Sequence, residues 1–310
     1  MNTVTNKVID AYARKNDLKG LTKPSLISII EERPGYSAGK AKQFLDFQKR
    51  INEELLTHDI IVNNPFTRWF REGQMSQDQV KAFVVQFSVF SNLFLIAQLH
   101  KMINADSLES MRASKEILAN EIGVVFNPAS RSSHKDNGNG ETDPELVSTE
   151  GTVEGGMFRF KAAHFEWLLI LANKLGLAFG DVGKRRHGTQ STLTFCDELV
   201  RLYGNTDYLT SQAASYAVEN WAAAGFWDEL VAGFNAYNRR TGANLPISFF
   251  SWHARLEAQH ALHTQEELEE IYFETDIDEA RFIRIGREML DGVAVFWNGL
   301  DEQRKSLAQQ

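Results

Sequence analysis

Apolar residues recur at helical spacing through nearly all of this 310-residue chain, and Gly or Pro stands where one helix should give way to the next. No segment of similar length alternates apolar and polar residues as a half-buried strand would. The pattern predicts helices over residues 6–13, 24–32, 37–56, 65–73, 106–123, 158–175, 191–203, 207–240, 247–273 and 278–305, with another opening at 76. A chain with this pattern is restricted to an all-α fold.

Capping residues sharpen several of these helix starts. Asn64 stands before Pro65, which suits an N-cap followed by a first-turn proline. Ser76 is followed three residues later by Gln79, the spacing of a capping box. Asp106 with Glu109 is predicted to open the next helix in the same way.

Composition removes several classes of function. A net charge of -8 without any Lys/Arg-rich block argues against a nucleic-acid partner. No uncharged apolar run of about 18 residues and no signal-peptide core are apparent, so we expect a cytoplasmic protein without membrane contact. The single cysteine, Cys196, excludes an internal disulfide framework and a thiolate-rich metal site.

One segment breaks the helical pattern. Residues 127–156 are rich in Ser, Asn, Gly and acids and contain little to bury, which predicts a loop insertion. The chain contains no internal repeat and no region whose amino-acid composition would mark a second domain. We therefore expect a helical N-terminal extension over residues 1–40 and one helical bundle over 41–310. The apolar stripe of the last helix suits packing on the core, with a homodimer face as the alternative.

The sequence SWHARLEAQHALH, which starts at residue 251, sets His253, Glu257 and His260 at spacings of four and then three residues. On a helix of 3.6 residues per turn these side chains share one stripe. Imidazole, carboxylate and imidazole on one stripe form half of a metal site. The alternative is a charged, solvated helix face.

Three other polar residues stand on apolar helix faces: Glu121, His164 and Glu219. Burying such groups is costly unless something pairs with them, so each could simply have a structural partner. Together with the histidine stripe they supply three carboxylates and three imidazoles, the inventory of a di-metal site in a helix bundle. Oxygen ligands mixed with imidazole suit iron or manganese, and two divalent ions would give a formal charge of +1 that favours a carboxylate-bearing substrate.

The chain resembles the haem-oxygenase-like diiron oxidases and oxygenases, whose fold relatives include thiaminase II and pyrroloquinoline-quinone synthase. The resemblance runs over about residues 44–273 and is carried by HDIIVNNPFTRWFREGQMSQDQVKAFVVQF, by the NEIG sequence that contains Glu121 and by the histidine stripe. It implies a haem-oxygenase-like helical bundle with two Fe(II) ions, Mn being the alternative, and O2 as co-substrate. The implied metal ligands are Glu121, His164, Glu219, His253, Glu257 and His260, with the three carboxylates also catalytic. The implied reaction oxidises a small amino- or carboxylic-acid-like metabolite by N-oxygenation, oxidative decarboxylation or carbon–carbon cleavage.

Two features depart from the family pattern. The family places its first histidine within about ten residues of the first glutamate, whereas 42 residues separate Glu121 from His164. His134, inside the insertion, is therefore a rival ligand, although His164 heads an apolar helix as the family's histidine does. Glu257 stands where aspartate is commoner, and its longer side chain could change how tightly the second metal is held.

Other functions fit the sequence less well. A metal-free hydrolase like thiaminase II would need Cys196 as nucleophile, but its sequence neighbours include no base or cation to activate it. A ferritin-like oxidase requires an ExxH motif on each of two helices, and only residues 257–260 form a convincing one. A haem protein would need an axial histidine such as His58 or His100, and nothing singles out either. A non-catalytic binding protein remains an alternative.

Overall fold

The helices begin and end close to the predicted joints. The computed structural model describes residues 6–126, 158–160 and 164–309, and these ranges form an all-α, single-domain fold. The helices are α1 (Asn6–Asn16), α2 (Lys23–Ile30), α3 (Ala38–Arg50), α4 (Asp59–Val62), α5 (Pro65–Arg71), α6 (Gln77–Ile103), α7 (Leu108–Glu121), α8 (His164–Lys174), α9 (Gln190–Glu198), α10 (Tyr208–Ala222), α11 (Phe226–Thr241), α12 (Ser248–Glu274) and α13 (Glu279–Leu307). π-helical turns at Ile51–Leu55 and Leu199–Tyr203 extend α3 and α9.

Two of the three capping predictions are confirmed. The Asn64 side chain accepts hydrogen bonds from the backbone N–H groups of Phe66 and Thr67, which fixes the start of α5. Ser76 and Gln79 form a reciprocal capping box on α6. The third was wrong by one residue, because Ser107 caps α7 by accepting from the Ser110 N–H.

Two predicted helices differ from the structure. The helix expected over 207–240 is divided into α10 and α11 at Gly225, whose φ of 91° lies in the left-handed region that ends a helix. The helix expected from residue 158 begins at His164. Residues Phe158–Phe160 instead form strand β2, which pairs antiparallel with strand β1, Val124–Phe126. Three residues were too short a run to show a strand period.

Phenylalanine and tryptophan dominate the core around α6. Phe83 and Phe87 of α6 are buried and pack against Phe250 of α12, and Phe87 also contacts Trp297 of α13. Contrary to the expectation from sequence, α6 is long and apolar enough to cross a membrane by length and composition. Half of its most apolar 18-residue window is buried inside the fold, and a buried core helix can pass the same test of length and composition.

The N-terminal helices pack against α12, the helix that carries the histidine stripe. Leu21, Leu26 and Ile29 are buried in the same apolar cluster as the bundle core. Glu269 of α12 is fully buried and accepts hydrogen bonds from both the backbone N–H and the hydroxyl of Thr22. This arrangement anchors the C-terminal half of α12.

Candidate metal centre

The structure brings together three of the six predicted ligands, from three different helices. Glu121 is the last residue of α7, His164 is the first residue of α8, and His253 lies in the second turn of α12. The Glu121 Oε2 atom lies 2.7 Å from the His164 Nδ1 atom. The centres of the His164 and His253 rings are 4.8 Å apart.

The β-ribbon explains how residues so far apart in sequence can meet. Gly123 turns the chain after α7 with a φ of 73°, and Val124 then pairs with Phe160. Because the two strands are antiparallel, the residues flanking this end of the ribbon return to the same place. The ribbon therefore brings the start of α8 back to the end of α7, across the segment predicted as an insertion.

His164 is buried, and only one of its two ring nitrogens has a described hydrogen-bond partner. Its exposed fraction is 4 %, and within the part of the chain that the structure describes its Nε2 atom has no hydrogen-bond partner. A buried polar atom without a partner costs free energy, so such atoms are rare unless a ligand completes them. A metal-binding histidine commonly gives its other ring nitrogen to a carboxylate, as Nδ1 does here with Glu121.

The hydrogen bond of His253 sets its tautomer. The His253 Nδ1 atom lies 2.7 Å from the Phe249 carbonyl oxygen, one helical turn earlier. A neutral ring can make this contact only by donating its Nδ1–H, which leaves the lone pair on Nε2. That form of imidazole is the one that binds a metal ion.

Aromatic rings enclose the two histidines. Trp227 of α11 stacks on His253 with ring centres 4.4 Å apart and planes 20° apart. Trp252 lies edge-on to His164 at 4.8 Å, and Trp167 stacks beside it at 5.8 Å. These rings keep water away from the imidazoles, which strengthens any electrostatic interaction made there.

Glu219 of α10 belongs to a group of acids around Tyr203. Burial, followed by the negative charge of Glu219, holds the pKa of the Tyr203 phenol well above its ordinary value. Glu267 and Glu121 add smaller contributions in the same direction. Two predicted ligands, Glu219 and Glu121, and Glu267 of α12 therefore each act on the same buried phenol.

The same region contains a buried cation that the sequence analysis missed. Lys101 of α6 is 8 % exposed, and its Nζ donates to the Ser215 hydroxyl at 2.5 Å. It also lies 4.8 Å from the centre of the Tyr203 ring. The Tyr203 hydroxyl donates to Gln98 at 2.7 Å, so a polar network crosses the interior between α6 and α10.

The sequence analysis missed both Glu267 and Lys101, and the sequence contains the clearer signal for Glu267. Glu267 follows His260 by seven residues, so the two lie on the same helical stripe. Lys101 carried a weaker signal, as a single charge near the end of an apolar helix. Its partner Ser215 is 114 residues away, and sequence spacing alone does not connect them.

The side chains of two predicted ligands are not described by the structure. The backbone of α12 runs through Glu257 and His260, but their side chains are not among those the structure describes, and neither is the rival His134. Among the described side chains, no group of three His, Cys, Asp or Glu residues is arranged to hold a metal ion.

The rival nucleophile and haem ligands have ordinary structural surroundings. Cys196 is buried, and desolvation, helped by the neighbouring Asp197, raises the pKa of its thiol to about 12. Asp197 pairs with Arg185 at 2.7 Å rather than with the thiol. His58 caps α4 and contacts Asp291 at 3.1 Å, and His100 is exposed on α6.

No protein-family model matches this chain, and no curated protein matches its sequence significantly.

Proposed function

We propose that this protein is a non-haem diiron oxygenase or oxidase of the haem-oxygenase-like class, acting on a small amino- or carboxylic-acid-like metabolite. The observation that carries the proposal is the convergence of Glu121, His164 and His253, with a buried His164 Nε2 atom that has no described hydrogen-bond partner. Glu121 contacts His164 and His164 contacts His253, so three residues singled out by separate sequence arguments are linked by two contacts, although the described side chains form no group of three metal-binding residues. A structural role for each alone would not require this.

The donor atoms of the predicted ligands are of the types that suit a pair of divalent metal ions. Imidazole nitrogens and carboxylate oxygens are the donors that iron and manganese accept. Glu121, His164, Glu219 and His253 would hold the metals together with Glu257 and His260. When bound, the metals would supply electrons and a binding position for O2.

The chain's own residues have definite tasks in this proposal. Glu121 fixes the ring orientation of His164 through Nδ1, and the Phe249 carbonyl fixes that of His253. Trp227, Trp252 and Trp167 exclude bulk water from the imidazoles. Excluding water protects reactive species from side reactions.

Lys101 gives the proposal a further physical basis. Its buried ammonium lies over the ring of Tyr203, the phenol whose pKa Glu219, Glu267 and Glu121 help to raise. It also adds positive charge to the interior, which favours a substrate with a carboxylate group.

Anaerobic reconstitution tests the proposal directly. The protein is loaded with Fe(II), bound iron is counted after desalting, and O2 is admitted in a stopped-flow spectrometer. We expect about two irons per chain, by analogy with helix-bundle diiron sites, and a transient visible absorption band as O2 is consumed. His164→Gln should lose both signals, whereas His100→Gln, which changes an exposed histidine on α6, should keep them. A folded wild-type protein that retains no iron would refute the proposal.

The metal-free hydrolase is disfavoured by the surroundings of Cys196. A thiol with a pKa near 12 is almost entirely protonated at neutral pH, and the thiolate is the nucleophile.

A further inference from the structure

The C-terminal half of α6 has its polar and apolar faces reversed. Gln98 and Lys101 are buried, and both form hydrogen bonds inside the bundle. Ile96, Leu99 and Ile103 face outwards instead, with exposed fractions of 43 %, 39 % and 66 %. A helix that had only the bundle core to cover would turn its apolar side chains inwards. The reversal therefore indicates that the outer face of α6 contacts something other than the core.

The three exposed residues form one stripe. Their spacings of three and then four residues place them on one side of the helix, as in the seam of a coiled coil. Leu108, just beyond the end of α6 in the chain, is also 53 % exposed. The four residues together expose about as much surface as two fully exposed aliphatic residues, or roughly 400 Å². Apolar patches of this size on a monomer are often functional.

The charges around the stripe favour a second protein chain over a lipid surface. From Asn92 to Ile103 the only ionisable residues are His100 and Lys101, and the Lys101 ammonium donates to the buried Ser215 hydroxyl. Because the whole chain has a net charge of -8, two copies repel each other across most of their surfaces. On this face they can meet without bringing like charges together. A helix that binds a membrane surface usually borders its apolar face with Lys or Arg.

The order of residues in the stripe suits a second copy of the same chain. Ile96 and Ile103 lie almost equally far from Leu99, on opposite sides of it. If two α6 helices pack antiparallel about a two-fold axis near Leu99, Ile96 of each copy meets Ile103 of the other. A contact of this kind is isologous, so it closes at two chains.

The size of the patch fits a modest dimer interface. A stable interface buries about 800 Å² per partner, of which about two-thirds is apolar in homodimers. The stripe and Leu108 supply most of that apolar area, and the half-exposed Leu95 and Met102 beside the stripe add to it. The other dimer face considered from the sequence, on α13, is not available in the same way, because Phe282, Met289 and Phe296 are buried in the core.

We propose that the outer face of the C-terminal half of α6 is a homodimer interface. In this dimer the stripe of Ile96, Leu99 and Ile103 packs antiparallel on the same stripe of a second copy. The interface does not depend on the oxygenase activity proposed above.

Sedimentation velocity of the metal-free, full-length protein at chain concentrations from about 1 to 100 µM tests the interface. We expect a dimer whose fraction rises with concentration. Leu99→Glu should weaken association at least about 100-fold, because it places two carboxylates together at a buried two-fold axis. Val295→Glu is the matched control, since it makes the same change on α13 at a residue that is also 39 % exposed. It should dimerise like wild type.

A pair of complementary charges tests the symmetry. Leu99→Lys alone should be monomeric as well, whereas an equimolar mixture of the Leu99→Glu and Leu99→Lys chains should form a heterodimer, because residue 99 of each copy faces residue 99 of the other. The proposal is overturned if wild type stays monomeric, if Leu99→Glu dimerises as well as Val295→Glu, or if the two charged variants do not associate. Sedimentation of a monomeric wild type with phosphatidylcholine vesicles would assign the face to a lipid surface instead. Circular dichroism melts check that each variant is folded.

Discussion

The Glu121 carboxylate and the His164 imidazole lie 2.7 Å apart although 42 residues separate them in the chain. In the haem-oxygenase-like family that the sequence resembles, the corresponding glutamate and histidine are much closer together in the chain. An antiparallel ribbon that begins at Val124, three residues beyond Glu121, makes the contact possible. We therefore prefer His164 to His134 as the first histidine ligand.

This preference predicts how histidine variants bind metal. His164→Ala should reduce Fe(II) or Mn(II) affinity by at least about 10- to 100-fold, the loss found even when a group only orients a ligand. His134→Ala should bind both metals like the wild-type protein. Metal content after anaerobic reconstitution and dialysis, measured by mass spectrometry, checks both. The reverse pattern would assign the site to His134.

A second prediction concerns the buried charge of Lys101. Lys101→Met should destabilise the metal-free protein by about 1.5–3 kcal/mol, because it removes a charged hydrogen bond to the buried Ser215 hydroxyl. Mn²⁺ should then raise the Tm of this variant more than that of wild type, since the metal replaces the missing positive charge. Lys101→Arg keeps the charge and serves as the control. Equal Mn²⁺ shifts in all three proteins would show that Lys101 does not interact with the metal-binding acids.

The sequence predicted local features well and long-range ones poorly. Asn64 and Ser76 cap helices through bonds to residues two or three positions away, so their roles could be read from spacing. Gly225 divides a long apolar pattern, and glycine in such a pattern is compatible with either a break or a continuous helix. The Lys101–Ser215 bond joins residues brought together only by the packed fold.

In the candidate metal site, too, the residues could be predicted from the sequence, but the contacts that orient them could not. His253 was found from helical periodicity, and Glu121 and His164 from their polar character on apolar faces. The hydrogen bonds that orient the two imidazoles, to Glu121 and to the Phe249 carbonyl, depend on tertiary geometry and side-chain rotamers. The sequence could identify these candidate residues but not the tautomers of the two histidines.

A third prediction tests the thiol environment. Cys196 should resist iodoacetamide at pH 8 in the folded protein and react fully in denaturant, because burial raises the pKa of its thiol to about 12. The same shift favours the folded state below about pH 8.5, the pKa of an unfolded cysteine, and this contribution is lost as the pH rises through the folded pKa. Mass spectrometry measures the fraction of Cys196 that is alkylated in the folded and in the denatured protein. Rapid modification of the native protein would instead revive the hydrolase alternative.

A fourth prediction concerns the contact between α5 and α11. A methyl group added at Gly233 would lie 2.2 Å from the Phe70 carbonyl oxygen, so the backbones would have to move apart. We expect Gly233→Ala to cost about 1–3 kcal/mol of unfolding free energy, as overpacking does. Gly39→Ala is the matched control on α3, where an added methyl group would lie 3.9 Å from the Ser37 hydroxyl oxygen, and it should stabilise by about 0.5–1 kcal/mol. Urea unfolding at pH 7 compares the two, and similar effects would contradict the close approach of the helices.

The cap of α10 gives a prediction that depends on pH. A hydrogen bond from the Thr210 hydroxyl, assisted by the Thr210 backbone N–H and by Arg281, lowers the pKa of the Asp207 carboxyl. A lowered pKa stabilises the folded state above the unfolded value of about 3.9, and this contribution is lost as the pH falls through the folded pKa. Asp207→Ala should cost about 1 kcal/mol at pH 7 through loss of the cap. Asp207→Asn keeps a capping oxygen, so its deficit relative to wild type should shrink as the pH is lowered from 5 to 2. Urea unfolding curves across this range give the difference directly, and a deficit that stays constant with pH would mean that the charge of Asp207 contributes nothing.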